Sequence, residues 1–183
     1  DTTAAASDLN ALIAKTSVAV NASATSTVTG NLTDLNAFYV TNAAGVTGEG
    51  SEAVTVSDSA IDAALLTAVN GATDQLVTLS SATSMSGQGD NIEALYDANA
   101  TNQLTGLDGD LTVTVTGDSG TPTVIDADHL IAIDGDTTGL ITIDSSATSV
   151  TGTYANVHTV LTSNKLAAGV LTVDNHSAAD ASR

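Results

Sequence analysis

One short stretch occurs three times in this chain of 183 residues and limits what the chain can fold into. Each copy reads Ser-Ala-Thr-Ser and reaches a Gly after two or three further residues, and the copies begin at Ser23, Ser81 and Ser146. A pattern that returns at long intervals indicates that one supersecondary unit is built several times. The sequence therefore predicts a repeat protein whose units bury their apolar faces against one another.

A second landmark, Val-Thr-Val or Leu-Thr-Val, begins at Val54, Val113 and Leu171. Its copies follow one another at intervals of about 58 residues, which is long for a single coil of a repeat protein. The same interval separates the first two Ser-Ala-Thr-Ser copies. This period predicts two coils of about 29 residues, each with one strand and one helix. We expect the Ser-Ala-Thr-Ser stretch to be the strand that opens every second coil, with its Ala facing the neighbouring layer. The predicted units are residues 1–53, 54–112, 113–170 and 171–183. The first and last units are incomplete, so we expect the chain to be a piece of a longer array.

Apolar residues at helical spacing follow each Ser-Ala-Thr-Ser copy. Counted from the Gly, the positions five, eight and nine residues on are Leu35, Phe38 and Tyr39, then Ile92, Leu95 and Tyr96, then Val157, Val160 and Leu161. This spacing predicts one helix per copy. A helix is also predicted after the first Val-Thr-Val segment, with Ser59 as its N-cap and Ile61, Leu65 and Val69 as its apolar stripe.

Strands that alternate with helices through short links predict parallel pairing, because each return to the same side of a sheet needs a crossover. We therefore predict an α/β fold, namely a repeat solenoid of strand–helix coils with a parallel sheet on one side and helices on the other. A compact α/β fold and a row of separate small domains are the alternatives.

The composition excludes several classes of function. Lys and Arg number three against 21 Asp and Glu, a formal net charge of -18, and such a field repels nucleic acid and anionic lipid surfaces. Hydrophobic residues reach 42%, which is too apolar for a disordered acidic tail. No apolar run approaches the roughly 18 residues of a membrane span, so no membrane insertion is expected. Cysteine is absent, which rules out disulfides and thiolate metal sites.

Two acidic pairs are candidate calcium ligands. Asp108 and Asp110 flank one glycine, and Asp134 and Asp136 flank another. Carboxylate oxygens are the ligands that Ca²⁺ prefers, but the pairs lack the other positions of an EF-hand loop. A solvated turn is the alternative at both places, and no other cofactor is expected.

A turn-rich insertion is predicted near 117–122, and it contains Gly117-Asp118-Ser119-Gly120. These are the residue types around the nucleophile of chymotrypsin-like proteases, whose chemistry also needs a His base, a buried Asp and an oxyanion hole. The histidines are His129, His158 and His176, and their spacing fits no metal motif. We predict that the chain is not an enzyme, and a hydrolase using Ser119 is the alternative.

The segments 28–36 and 151–157 resemble the Thr-Gly-x-x-x-(Asp/Asn)-hydrophobic repeats of very large secreted or cell-surface proteins of bacteria, notably marine cyanobacteria. The resemblance extends over essentially the whole chain. It implies an extracellular structural, adhesive or filament role, and it brings no catalytic residues.

We therefore expect an extracellular or cell-surface structural segment, such as a filament subunit, a surface layer or an adhesin stalk. Its partners would be copies of itself or adjacent repeats of a longer chain, joined head-to-tail. A calcium- or carbohydrate-binding module of a secreted protein is the alternative function.

Overall fold

The computed structural model describes residues 2–118, 120–121, 123–166 and 172–173, the last two by their backbone only. Helices and strands alternate along these residues. The α-helices are α1 (Ala6–Ile13), α2 (Leu32–Asn36), α3 (Ala63–Asn70), α4 (Gly89–Ala100), α5 (Ala127–Asp136) and α6 (Tyr154–Thr162). A π-helical turn, Ala37–Thr41, continues α2, and a 3-10 turn, Ala43–Gly45, follows it. Within the described part of the chain, no helix is both long enough and apolar enough to cross a membrane.

The strands are β1 (Thr3–Ala5), β2 (Val20–Asn21), β3 (Thr27–Gly30), β4 (Val46–Thr47), β5 (Ala53–Val56), β6 (Ala60–Asp62), β7 (Val77–Leu79), β8 (Ser84–Gly87), β9 (Leu104–Thr105), β10 (Thr112–Val115), β11 (Val124–Asp126), β12 (Ile141–Ile143), β13 (Ser149–Thr151) and β14 (Thr172–Val173). They form a five-stranded sheet β1-β3-β5-β7-β9, a four-stranded sheet β6-β8-β10-β12, a three-stranded sheet β11-β13-β14 and a pair β2-β4. Every pairing between these strands is parallel. The predicted α/β class with parallel strands is confirmed.

Each strand returns to its partner after one helix. Val54 pairs with Val77, and Val113 pairs with Ile141, so the two partners are always about one strand–helix coil apart in the chain. Each α-helix also packs against the next α-helix of the chain. One helix per return is what parallel neighbours require, because the chain must cross back before it can pair again.

The sheets are staggered relative to the helices. In the five-stranded sheet, β1 and β3 directly precede α1 and α2, whereas β7 and β9 follow α3 and α4, and β5 lies between the two pairs. The next sheet repeats this series: β6 and β8 precede α3 and α4, β10 lies in the middle, and β12 follows α5. The middle strands β5 and β10 are the first two Val-Thr-Val segments.

The core consists mainly of aliphatic side chains, and alanine and valine make up almost half of it. Of the nine apolar helix positions predicted from the Gly spacing, seven are buried, Val157 is partly buried and Leu161 is exposed. Phe38 is fully buried and contacts Tyr39 edge-on, with 4.8 Å between ring centroids. The helical spacing in the sequence therefore identified the buried face of these helices.

The predicted helix start at Ser59 is wrong. A short strand, β6, intervenes, and α3 begins at Ala63 with Asp62 as its N-cap, whose carboxylate accepts two backbone N–H bonds of the first turn. Ile61 is buried between two exposed neighbours, which is strand alternation. Because β6 contributes only three residues, its period of two was indistinguishable from the start of a helical stripe.

The Ser-Ala-Thr-Ser stretch was predicted to be a strand, and the structure corrects this. Most of it lies outside the strands, in turns, bends and irregular chain, and the strand begins at its end, at Thr27, Ser84 and Ser149. The strand residue that is buried lies two before the Gly, and these residues are Val28, Met85 and Val150. Of the three alanines expected to face a neighbouring layer, Ala24 is exposed, Ala82 is partly buried against the core and Ala147 is buried.

Part of two predictions falls outside the described residues. Ser119 and Pro122 of the insertion near 117–122 are among these, although Asp118 and Thr121 are described and form an antiparallel bridge. Residues 174–183, most of the predicted fourth unit, are outside as well.

Candidate functional site

The four predicted calcium ligands lie in two neighbouring turns. Asp108 and Asp110 are exposed in the turn before β10, and Asp134 and Asp136 lie in the last turn of α5. The turns are joined through the Gly109 carbonyl, which accepts hydrogen bonds from the loop after α5, including one of 2.5 Å from the Thr138 N–H. The backbones of the two turns therefore meet.

The carboxylates of these turns have separate surroundings. Asp134 Oδ1 accepts a 2.9 Å bond from Ser163 and lies 3.7 Å from Lys165 Nζ. The Asp134 carboxylate therefore already has a positively charged partner. Burial raises the pKa of Asp136, and the nearby charge of Asp97 raises it further. Within the described ranges, no group of three or more Asp, Glu or His side chains is arranged to hold a metal ion. Calcium binding by Asp108, Asp110, Asp134 and Asp136 stays a prediction.

A histidine between carboxylates lies beside the insertion. His129 Nδ1 is 2.9 Å from Asp118 Oδ1, and His129 Nε2 is 3.7 Å from Glu93 Oε2. The other Asp118 oxygen accepts a 2.5 Å bond from the Asp126 N–H. Gly89 makes room for this contact, because a Cβ there would lie 2.7 Å from Asp118 Oδ1. Asp118 thus ties the insertion to the start of α5.

The pKa of His129 reflects opposing effects. Burial lowers it, but the hydrogen bond and charge of Asp118 and the charges of Glu93 and Asp126 outweigh burial, so the pKa is raised above 6.5. A carboxylate-oriented histidine is also one part of a nucleophile-activating array. Ser119, the nucleophile of the hydrolase alternative, lies outside the described residues. His158 is exposed on α6 beside Tyr154, and His176 also lies outside them.

Sequence reasoning missed a group of buried oxygen atoms after the 3-10 turn. Glu52 is only 1% exposed; its Oε2 accepts a 2.5 Å bond from the Gly50 N–H, and its Oε1 has no partner among the described residues. Glu49 Oε2 and the Tyr39 hydroxyl are also buried without a partner there. Burial raises the pKa of Tyr39, and the charges of Glu52 and Glu49 raise it further. The charges of Glu52 and Glu49 thus act on the Tyr39 hydroxyl, and we call these three side chains the Glu52 cluster.

The same turn occurs one repeat later with a leucine in place of Glu52. Leu111 also lies two residues before a Val-Thr-Val strand and is also 1% exposed. Thr73 Oγ1 donates to the Glu52 carbonyl at 2.8 Å, and Thr137 Oγ1 donates to the Leu111 carbonyl at 3.0 Å. A carboxylate therefore occupies an aliphatic core position. Aligning the two Val-Thr-Val segments would have shown this difference in the sequence.

A comparison with protein families, with curated proteins and with solved structures finds no match to this chain.

Proposed function

We propose that this chain is a structural repeat segment of an extracellular or cell-surface protein, a solenoid of strand–helix coils that acts by stacking on further coils. Its assembled form would be a filament, a surface layer or an adhesin stalk. The extracellular location is supported by the resemblance in the sequence and by the acidic, lysine-poor composition.

One observation carries the proposal: the sheets cross the predicted repeat boundaries. The boundary at 53/54 lies within β5, which pairs with β3 of the preceding repeat and with β7 of its own repeat. The boundary at 112/113 lies within β10, which pairs with β8 and β12 in the same way. A single repeat of this type cannot complete its sheet, so it needs a neighbour.

The buried side chains of the two boundary strands give stacking a favourable free energy. Val54, Val56, Val113 and Val115 are at most 1% exposed. Burying a valine of this kind contributes about 1.5–3 kcal/mol relative to leaving it in water. A repeat that lost its neighbour would expose part of this surface, and stacking recovers it.

The test is to lengthen the solenoid by one repeat. Residues 54–112 are inserted a second time directly after residue 112, which places β5 again at a position equivalent to β10. Nearest-neighbour stacking predicts one cooperative transition with a higher Tm than the parent chain, and a longer maximum dimension in small-angle scattering. A second, independent transition or a compact particle of unchanged length would contradict the solenoid.

The Glu52 cluster favours divalent-cation binding as a second candidate function. Two carboxylate oxygens and a phenol oxygen, buried without partners among the described residues, are hard ligands of the kind Ca²⁺ takes. We expect a rise in Tm at about 5 mM Ca²⁺, above the roughly 1 mM dissociation constants of weak extracellular sites. EDTA should reverse the rise.

A matched pair of variants separates this site from diffuse charge screening. Glu52→Gln and Asp8→Asn each remove one negative charge, the first from the buried cluster and the second from the exposed first turn of α1. The Ca²⁺-induced rise should disappear in Glu52→Gln and persist in Asp8→Asn. An equal rise in both variants would assign the effect to general screening.

A further inference from the structure

The pair β2-β4 is an incomplete version of the other sheets. β2 and β4 follow α1 and α2, as β7 and β9 follow α3 and α4. The pairing of Val20 with Val46 repeats the pairing of Val77 with Leu104, one repeat period earlier in the chain. In the five-stranded sheet, three strands precede β7, and among the described residues none precedes β2.

The three-stranded sheet is incomplete in the opposite sense. β11 and β13 precede α5 and α6, as β6 and β8 precede α3 and α4, and β14 takes the place of the middle strand β10. Val150 pairs with Val173 as Met85 pairs with Val113. The Leu-Thr-Val landmark in the sequence would instead align Val173 with Val115, two residues after Val113. Because the shift is two residues, the backbone groups of Val173 face the same edge of the sheet in both alignments. Among the described residues, the sheet has the first three strands of the series and not the last two.

These two partial sheets add up to one complete series. From this match we infer that the edge of β14 without a partner among the described residues pairs in parallel with the corresponding edge of β2 in a second copy of this chain, giving a sheet in the order β11-β13-β14-β2-β4. The inference rests on the proposed stacking function and names the surfaces that join. If β14 and β2 pair in the register of β5 and β7, Val173 lies opposite Val20 of the next copy.

The backbone of β2 is prepared for such a strand. The Ala22 N–H donates to Thr47 in β4 at 2.8 Å, and successive residues of a strand direct their backbone groups to opposite edges, so the groups of Asn21 face the free edge. In the complete sheet, the Ser80 N–H donates to Val56 of the middle strand at 3.1 Å. Its counterpart, the Ser23 N–H, instead donates to the Asn21 side chain at 3.0 Å. Asn21 therefore substitutes for the missing strand.

The free edge of β1 is a different case. β6 and β11 hold the equivalent position, and each pairs with one strand only, β8 or β13. The first strand of the series is therefore an edge even where the chain continues on both sides. This makes β1 a matched control, an edge of similar length that should not join.

The proposed joint brings two different surfaces together, β14 of one copy and β2 of the next. Crosslinking between two variants, each labelled on one of these surfaces, therefore tests it. The chain has no cysteine, which allows two single variants, Ala19→Cys beside the β2 edge and Thr172→Cys in β14. Neighbouring strands lie about 4.8 Å apart, so a bismaleimide of about 10 Å spans them. At protein concentrations up to about 1 mM, the mixture should give covalent dimers and each variant alone should give few.

Proline substitutions identify the edge. Asn21→Pro in the Ala19→Cys chain removes the N–H that faces the free edge and should lower the dimer yield about tenfold, the effect of one lost backbone hydrogen bond. Thr3→Pro in the same chain should leave the yield unchanged. Dimers from either cysteine variant alone, no dimers in the mixture, or equal loss with both prolines would overturn the joint. The lengthened chain described above would still test stacking itself, so the two failures are distinguishable.

Discussion

Glu52 shows how one residue can oppose the fold that surrounds it. Its carboxylate occupies the position that Leu111 fills in the next repeat, and one of its oxygens has no described partner. An unsatisfied buried polar group costs about 1–3 kcal/mol. We therefore predict that Glu52→Leu, measured by urea denaturation in EDTA, raises the free energy of unfolding by about that amount.

The reverse exchange is the control for this prediction. Leu111→Glu places a carboxylate in the equivalent turn, where Tyr96 takes the place of Tyr39 and the exposed Asp108 takes the place of Glu49. Burial of this new charge should lower the free energy of unfolding. If Glu52→Leu destabilised the chain in EDTA, the buried carboxylate would have a partner that stabilises it, and the cation proposal would lose its basis.

His129 should make stability depend on pH. Its pKa in the folded chain is raised above 6.5 through Asp118, Glu93 and Asp126 despite the opposing effect of burial. A raised pKa means that the protonated side chain stabilises the fold below about pH 6.5 and that this contribution is lost as the pH rises through the folded pKa. The Tm difference between the parent chain and His129→Gln should therefore shrink between about pH 6 and pH 9. A difference that grows over this range would contradict the assignment.

At the scale of elements, the glycine that follows each Ser-Ala-Thr-Ser copy has a packing role. A Cβ on Gly30, Gly87 or Gly152 would lie 3.3, 2.7 or 2.9 Å from the Cβ of the alanine that begins the helix of the preceding coil. Those alanines are Ala6, Ala63 and Ala127, and all are fully buried. The glycine–alanine contact therefore sets how closely successive coils approach.

Gly87→Ala should destabilise the chain by about 1–3 kcal/mol, the usual effect of overpacking. The partner substitution Ala63→Gly should recover part of this loss in the double variant, because it removes the methyl group that clashes. A double-mutant cycle in urea measures the coupling between the two sites. Additive effects would show that Gly87 is required for its own backbone conformation and not for the contact.

Much of the arrangement of helices and strands could be predicted from the sequence. The positions five, eight and nine residues after each glycine identified the buried helix face because a helix of two or three turns repeats its signal. The strand β6 could not be predicted, since three residues carry too little periodicity. The Glu52 cluster was visible only as a difference between aligned repeats, and its proximity to Tyr39 depends on which helix covers which turn, a tertiary fact that spacing does not encode.

For the whole molecule, charge decides the conditions under which copies join. Each copy carries a net charge of -18, and the proposed joint between β14 and β2 consists of backbone hydrogen bonds that salt does not weaken. The screening length falls from about 30 Å at 0.01 M salt to about 10 Å at 0.1 M. The dimer yield in the mixed cysteine experiment should therefore rise with NaCl from about 0.01 to 0.3 M, as repulsion between like-charged copies is screened. MgCl₂ at equal ionic strength is the control, and an equal rise would assign the effect to screening. A yield that falls with salt would instead indicate a joint held by opposite charges, of which the three Lys and Arg residues would be the source.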